Sequence, residues 1–324
     1  MVSTVGDRTT QQPVSVGSAK KATSPTGRRR RSTRPRSNLL WAIFFLAPTT
    51  IGLSVFYLWP IVETVYYSFT TWGPFGGHTF TGWANYKAIF HDPDVAGALG
   101  NTLLYALLGL IGLPVSLVLA AVLAKPGRRG VSAYRTLLFL PVVTMPAAVA
   151  IVWRWLYNGD FGLINNLLGR VGLHGGYWLS DPHTALIALA VVGIWSTVGY
   201  NMVILMAGLQ SIPRQFHEAA AMDGAGPVRQ FFSITLPLLS PSLFFVTVLS
   251  VIGSLQTFDL VYVMIGKTNP ALPQTRTIVY LFYQKAFQEN DRGYAAAMAL
   301  LLLLLIVCIT ALQFRLQKKW VHYE

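Results

Sequence analysis

The sequence predicts an all-α membrane protein with six transmembrane helices, and three observations lead to this fold class. Hydrophobic residues make up 53% of the 324 residues and charged residues only 11%, whereas soluble domains carry about 25% charged residues. Six segments approach the roughly 20 apolar residues that a helix needs to cross a bilayer. The basic residues are concentrated in the N-terminal tail and in alternate connections, as expected when a chain crosses a membrane repeatedly.

The first element is a basic tail, residues 1–37, which we expect to be disordered and cytoplasmic. Residues 1–38 carry nine Lys or Arg side chains and one acidic residue, Asp7. The tail is rich in Ser, Thr, Pro and Arg and offers few apolar side chains for a core. Basic charge directly before a span favours a cytoplasmic position near anionic lipid. Nucleic-acid binding and an organellar transit peptide are the alternative interpretations.

The transmembrane domain is predicted over residues 38–318, and a short cytoplasmic end follows at 319–324. Its six apolar segments are 39–59, 99–124, 136–157, 184–209, 238–260 and 294–314. Prolines and glycines interrupt several of them. Because a proline in lipid leaves a carbonyl group that neighbouring helices or water must satisfy, we expect kinked helices around a pathway or a packed interface.

Lys and Arg residues set the predicted orientation, because cytoplasmic connections are enriched in them. The tail, the 125–135 connection and the C-terminal end are basic, whereas 60–98 and 158–183 contain one basic residue each. Both termini are therefore predicted to be cytoplasmic, and so is the connection between the fourth and fifth segments. The 261–292 connection weakens this pattern, since it carries four basic residues.

The connection between the fourth and fifth segments, residues 213–237, predicts two short helices joined by glycines. Pro213 suits the first turn of a helix, and three consecutive alanines favour its continuation. Gly224 can adopt the left-handed conformation that ends a helix, and residues 227–234 can form the second one. A small, rigid, acidic element of this kind suits insertion into a groove of another protein. An ordinary interfacial loop is the alternative.

The spacing within this connection resembles a known motif. Glu218-Ala219-Ala220 is followed after three residues by Gly224, after nine more by Ile234, and after one more by Leu236-Pro237. This pattern is similar to the EAA loop of bacterial ABC importer permeases, and the longer stretch LQSIPRQFHEAAAMDGAGPVRQFFSITLPLLSP looks like the carbohydrate branch of that family. The likeness extends over about 38–318. One departure is KTNP at Lys267–Pro270, where many relatives have GGP.

The resemblance implies the type I fold of ABC importer permeases and a multi-pass protein of the bacterial inner (plasma) membrane. It implies four kinds of partner: a second homologous permease, two ATPase subunits, an extracytoplasmic solute-binding protein and a sugar substrate. ATP and Mg²⁺ are expected in the ATPase, so this chain is expected to hold no cofactor and to be no enzyme. The residues implied to couple the chain to the ATPase are Glu218, Ala219, Ala220, Asp223, Gly224, Ile234, Leu236 and Pro237.

Other classes of function lack their sequence patterns. The chain has no G-x-x-x-x-G-K-[ST] stretch to cradle phosphates. Its six histidines are scattered singly, without metal-ligand spacing. Aromatic residues do not alternate with the arginines of the tail, as they would in a stacking platform for nucleic acid. We therefore expect no metal site, no nucleic-acid partner and no membrane-embedded catalysis, and a self-sufficient channel would not need the 213–237 connection.

Polar residues inside the spans are candidate solute ligands, because such groups are costly in a bilayer. Ser250, Ser254 and Thr257 have the spacing of one helix face, and sugar sites combine hydrogen-bonding groups with an aromatic wall. The resemblance implies that these three and Tyr200 lie at sugar-contacting positions. Hydrogen bonds from the hydroxyls to their own helix backbone are the alternative. The candidates are Tyr200, Ser250, Ser254, Gln256 and Thr257.

Two importer functions remain open at this stage. The first is ATP-driven, binding-protein-dependent uptake of a sugar or oligosaccharide by alternating access. The second is uptake of a non-sugar solute such as a glycerol phosphate or polyol. A phosphate group would favour a cationic site, yet the fourth and fifth segments contain no Lys or Arg, which leaves the partner permease as another source of a cation.

Overall fold

The computed structural model describes three stretches of the chain: residues 36–72, 77–124 and 130–320. The predictions for the basic tail before residue 36, for the basic residues at 125–129 and for 321–324 lie outside the described residues. The described chain is mostly helical, as its composition predicts. It divides into two compact units between Ser54 and Val55.

The first unit contributes one described helix, α1 (Arg36–Leu53), which contains Pro48. A π-helical turn at Ser54–Leu58 and helix α2 (Trp59–Ser68) follow along the chain. The apolar segment that was predicted to end at residue 59 therefore continues in helical form to Ser68. Pro60 favours this continuation, since proline suits the first turn of a helix.

The second unit contains α2, one hairpin and the remaining helices. Strands β1 (Thr70–Trp72) and β2 (His78–Phe80) pair antiparallel, with Thr70 opposite Phe80. The next helices are α3 (Ala84–His91), α4 (Pro93–Gly109), α5 (Gly112–Leu123), α6 (Val131–Val143), α7 (Pro146–Leu156), α8 (Leu163–Arg170) and α9 (Ala185–Ser211). The last ones are α10 (Arg214–Met222), α11 (Pro227–Gln230), α12 (Leu236–Leu238), α13 (Ser240–Leu255), α14 (Leu272–Thr275), α15 (Ile278–Tyr283) and α16 (Arg292–Trp320). Further π-helical turns occupy Phe231–Thr235, Val261–Ile265 and Gln284–Gln288.

Four helical stretches of the described chain are long and apolar enough to cross a membrane: Trp41–Ser68, Pro93–Leu123, Ala185–Ser211 and Arg292–Lys318. Two bent pairs add to them, so that the number rises to six if each pair is one span. These pairs are α6 with α7, bent by 101°, and the α11–α12 stretch with α13, bent by 66°. The six predicted segments each overlap one of these stretches.

The bend between α6 and α7 has a local cause. Pro146 begins α7, and Met145 before it adopts φ −58° and ψ 124°. A residue that precedes proline avoids the α-helical conformation because the proline ring clashes with its backbone. The kink expected from the prolines of the third segment therefore occurs as a sharp break at Thr144–Met145.

Helix α9 lies at the centre of the second unit and packs against α4, α5, α6 and α13. Its buried side chains include Leu189, Val192, Met202 and Leu205. At Gly199 the backbone of α6 comes so close that an added Cβ would overlap the carbonyl oxygen of Leu138. Small residues permit such close helix contacts in membranes, so the α6–α9 crossing depends on this glycine.

Candidate solute site and coupling segment

A cavity of about 390 Å³ lies beside α9 and is lined by α4, the α6–α7 bend, α9 and the end of α13. Its lining mixes apolar walls with polar side chains. Among the described residues that line it there is one carboxylate, Asp259, and no Lys, Arg or His. The polar lining residues are Tyr105, Thr144, Ser196, Thr197, Ser250, Ser254, Gln256, Thr257 and Asp259. Such a lining can hydrogen-bond hydroxyl groups but offers a phosphate no opposite charge.

Four of the five predicted solute residues line this cavity: Ser250, Ser254, Gln256 and Thr257. Tyr200 does not belong to the described lining. It lies further along α9 and its surface is 40% exposed. The structure therefore brings together the candidates of the fifth segment and leaves Tyr200 apart from them.

Helix α13 ends at Leu255, earlier than the predicted segment end at residue 260. Residues 256–258 are not helical, and a helical conformation resumes at Asp259. Thr257 therefore does not share a helix face with Ser250 and Ser254, contrary to the expectation from their spacing. Instead the chain turns at this break, which we call the α13 break (residues 256–258), and Thr257 still reaches the same cavity.

Some hydroxyl groups of the lining are already engaged within the chain. Thr197 Oγ1 donates to the Gly193 carbonyl oxygen at 2.9 Å, and Ser250 Oγ accepts from Asn201 Nδ2 at 3.2 Å. By contrast, the side chains of Ser254 and Gln256 have no hydrogen-bond partner among the residues that the structure describes. Ser196 and Asp259 of the described lining likewise form no side-chain hydrogen bond there. These four side chains are therefore available to bind a solute.

Tyr105 was not among the sequence-predicted residues. It projects from α4 into the cavity wall and is only 4% exposed. Its hydroxyl lies against Gly193, where an added Cβ would overlap it. Tyr105 and Phe258 supply the aromatic part of the lining. A polar aromatic residue in the middle of the second apolar segment is the sequence signal for it.

The second candidate site is the segment predicted to couple the chain to an ATPase, residues 213–237, which we call the coupling segment. Helix α10 ends there in a Schellman motif. The amide of Ala225 donates to the Ala220 carbonyl at 2.9 Å and the amide of Gly224 to the Ala221 carbonyl at 3.1 Å. Gly224 has φ +74°, which confirms the left-handed conformation predicted for it. The second helix, α11, then passes into the π-helical turn at Phe231–Thr235.

The side chain of Gln230 on α11 contacts both the turn and α10. Its Nε2 donates to the Ala225 carbonyl at 2.8 Å, and its Oε1 lies 3.4 Å from Nδ1 of His217 on α10. The turn between α10 and α11 is therefore held by side chains as well as by its backbone. The coupling segment thus consists of two short helices, α10 and α11, joined by an ordered turn.

The predicted coupling residues fall into three groups. Ala220, Asp223 and Ile234 line a small cavity of about 200 Å³ together with Ala225, Arg229, Gln230 and Ser233. Glu218, Ala219 and Gly224 are exposed on α10 and its end, and Leu236 and Pro237 are half-buried where the chain returns to α13. The same segment also carries exposed apolar side chains that were not among the predicted residues and do not belong to the described lining of this cavity: Met222 (87%), Val228 (72%) and Phe232 (62%).

Comparisons with known proteins agree with these features. The family described as binding-protein-dependent transport system inner membrane component matches residues 112–322. The sn-glycerol-3-phosphate transport system permease protein UgpA of Yersinia enterocolitica is 35% identical over 297 residues, which cover 90% of this chain and 99% of the relative. The protein of the same name from Pectobacterium atrosepticum is 33% identical over 297 residues, which again cover 90% of this chain and 99% of the relative.

A solved structure shares the fold. A chain of a bacterial ABC transporter involved in the import of the acidic polysaccharide alginate superposes with a TM-score of 0.77. The superposition covers 88% of this chain and 96% of that chain at 23% sequence identity. The arrangement of helices is therefore one that occurs in a known importer.

Proposed function

The chain belongs to the family of binding-protein-dependent transport system inner membrane components, and we propose that it is one permease subunit of an ATP-driven importer. It is a multi-pass inner-membrane protein of that family. Its proposed partners are a second homologous permease, two ATPase subunits and an extracytoplasmic solute-binding protein. The match to the family over residues 112–322, which contains most of the cavity lining and the whole coupling segment, is the observation that carries this proposal.

The proposed mechanism is alternating access. The coupling segment, residues 213–237, docks on an ATPase subunit, with Glu218, Ala219, Ala220 and Gly224 at the contact. Closure of the ATPases on ATP moves the spans as rigid bodies and opens the cavity toward the outside, and hydrolysis resets them. The exposed apolar side chains of this segment, Met222, Val228 and Phe232, support the docking role, because exposed apolar surface is a feature of interaction sites.

For the solute we propose a neutral, polyhydroxylated molecule such as a sugar or polyol. The free amide of Gln256 and the free hydroxyl of Ser254 can exchange hydrogen bonds with solute hydroxyls, while Tyr105 and Phe258 provide an aromatic wall. The lining described for this cavity contains no cation. A phosphate would meet the carboxylate of Asp259 without a compensating charge from this chain.

Glycerol phosphate is the second candidate, and the names of the relatives favour it. In that case a cation from the second permease would have to face Asp259 in the assembled importer. Reconstitution of the complete importer in proteoliposomes separates the two candidates. ATP-dependent uptake of a neutral sugar that glycerol phosphate does not inhibit supports the first, and uptake of glycerol phosphate alone rejects it. Uptake by this chain without its ATPase would contradict the importer proposal itself.

The Gln256→Leu variant tests the solute site directly. Loss of one hydrogen bond to a solute is expected to raise the KM for uptake by about three- to tenfold, with kcat little changed. Thr197→Val is the matched control within the same cavity, since its hydroxyl already bonds to the Gly193 carbonyl and is expected to contribute little. Equal KM values for Gln256→Leu and the wild type would exclude Gln256 from the site.

A further inference from the structure

The α13 break creates a structural requirement of its own. A break inside an apolar segment leaves carbonyl groups without their helical partners, and burying such a group away from water is costly unless another donor satisfies it. The residues of the break, Gln256–Phe258, all line the cavity. Whatever satisfies their backbone also determines where their side chains point.

One side chain from another element meets this requirement. Thr277 Oγ1 donates to the Thr257 carbonyl oxygen at 2.9 Å, across 20 residues of chain. The same hydroxyl accepts from the amide of Tyr280 at 3.3 Å and so caps α15. Thr277 is completely buried. The Thr277 hydroxyl therefore uses its one proton for the hydrogen bond to the α13 break. The position of Thr277 is fixed by its place as the N-cap of α15.

Helix α4 holds Thr277 in place from the other side. Asn101 Nδ2 donates to the carbonyl oxygens of Pro273 at 2.9 Å and Arg276 at 3.1 Å. Thr102 Oγ1 accepts from the amide of Ile278 at 2.9 Å. The residues on both sides of Thr277 are therefore bonded to α4. Asn101 thus connects α4 to the chain segment that precedes Thr277.

We propose that Thr277 is a positioning residue for the solute site, and that Asn101 and Thr102 act through it. Thr277 fixes the α13 break so that Gln256 and Thr257 face the cavity. This proposal rests on the proposed function only in assigning the solute to this cavity. The geometry of the break itself is independent of which solute is carried.

The test compares two threonines two residues apart. Thr277→Val removes the hydroxyl and keeps the shape, and Thr277→Ser keeps the hydroxyl. Thr275→Val is the control: Thr275 is also completely buried, but its hydroxyl bonds to the Ala271 carbonyl of its own turn at 2.8 Å. In the assembled importer, Thr277→Val is expected to raise the KM for uptake by about tenfold. Thr277→Ser should restore it, and Thr275→Val should leave it near the wild type.

A second measurement does not require the solute. In a Cys308→Ser background, which removes the single cysteine, Gln256→Cys reports the position of the break through its reaction rate with a polar thiol reagent. Thr277→Val is expected to change this rate severalfold, whereas Thr275→Val leaves it unchanged. Equal rates in both variants would overturn the proposal. A changed rate together with an unchanged KM would retain the positioning role and reject the cavity as the solute site. Should Thr277→Val fail to assemble, Asn101→Ala is measured in the same way, with a smaller shift expected.

Discussion

At the scale of single residues, Gly224 and Gly226 allow a direct comparison of what an added side chain would cost. A Cβ at either position would meet nothing within 4 Å, so space does not distinguish them. Their backbones do: Gly224 has φ +74°, and Gly226 has φ −68°. An L-residue in the left-handed region costs about 1–2 kcal/mol, whereas φ near −68° suits any residue.

We therefore expect Gly224→Ala to loosen the Schellman end of α10 and to lower the number of solute molecules imported per ATP hydrolysed. Gly226→Ala should behave as the wild type. The measurement is the ratio of uptake to ATP hydrolysis in proteoliposomes, together with the amount of assembled complex. The same loss in both variants would mean that surface changes, and not the backbone conformation, disturb the coupling segment.

Sequence reasoning reached Gly224 but not Tyr105, and the reason is the range of the interaction. The left-handed glycine after an alanine-rich helix is a local signal, complete within the few residues of the turn. Tyr105 acquires its place only because Gly193, 88 residues later in the sequence, leaves room for its hydroxyl. Tyr200, in turn, has the expected residue type but lies on a part of α9 away from the described cavity lining. The direction in which each residue faces is set by the packing of the helices.

At the scale of elements, the crossing of α6 and α9 makes a stability prediction. Gly199→Ala would place a methyl group onto the Leu138 carbonyl, and overpacking of this kind costs about 1–3 kcal/mol. We expect a lower melting temperature in detergent and a smaller yield of assembled importer. Gly100→Ala on α4 is the control, because no atom lies within 4 Å of its Cβ and alanine favours a helix over glycine. A wild-type melting temperature for Gly199→Ala would show that the two helices separate easily.

The elements themselves were largely predictable, because apolar length is a strong signal and each of the six segments overlaps a helix or a bent pair. Among the boundaries that differ, two have separate reasons. The second segment begins at Pro93 because Asp92 caps the helix, its side chain accepting from the Asp94 amide at 2.9 Å. The α13 break has neither proline nor glycine at 256–258. The side chain that donates to this break, Thr277, comes from another element. No local sequence pattern therefore predicts the break.

At the scale of the whole molecule, two bonds join distant parts of the second unit. Asp92 Oδ2 accepts from the hydroxyl of Tyr294 at 2.7 Å, across 202 residues, and Arg276 forms an ion pair with Asp94. Burial raises the pKa of Asp92, but the hydrogen bonds from Tyr294 and the Asp94 amide outweigh it, so that the pKa lies below its ordinary value of 3.8. The folded state thus favours the ionised carboxylate.

A lowered pKa gives the direction of the pH dependence. The stability that Asp92 contributes is complete above its ordinary value of 3.8 and is lost as the pH falls from there through the lowered pKa. The melting temperature in detergent is measured down to about pH 3, and its decrease at acidic pH is the acid limb of the curve. Asp92→Asn should make this decrease less steep. Tyr294→Phe, which removes the same bond, should flatten it as well. An acid limb as steep as that of the wild type in both variants would assign the pH dependence to other groups.

The long helix α9 has one further consequence. It runs unbroken for 27 residues, or about 40 Å at 1.5 Å per residue. It carries cavity residues such as Gly193 and Thr197 near its middle, and only Ile212 and Pro213 separate its end from α10. One continuous helix therefore joins the candidate solute cavity to residues 213–237, the proposed coupling segment, and thermodynamic linkage makes any coupling between two sites reciprocal. Under the proposed function, any factor by which nucleotide on the ATPase changes solute binding must equal the factor by which bound solute changes nucleotide binding. The affinity of the assembled importer for nucleotide would then be a measure of what occupies the cavity.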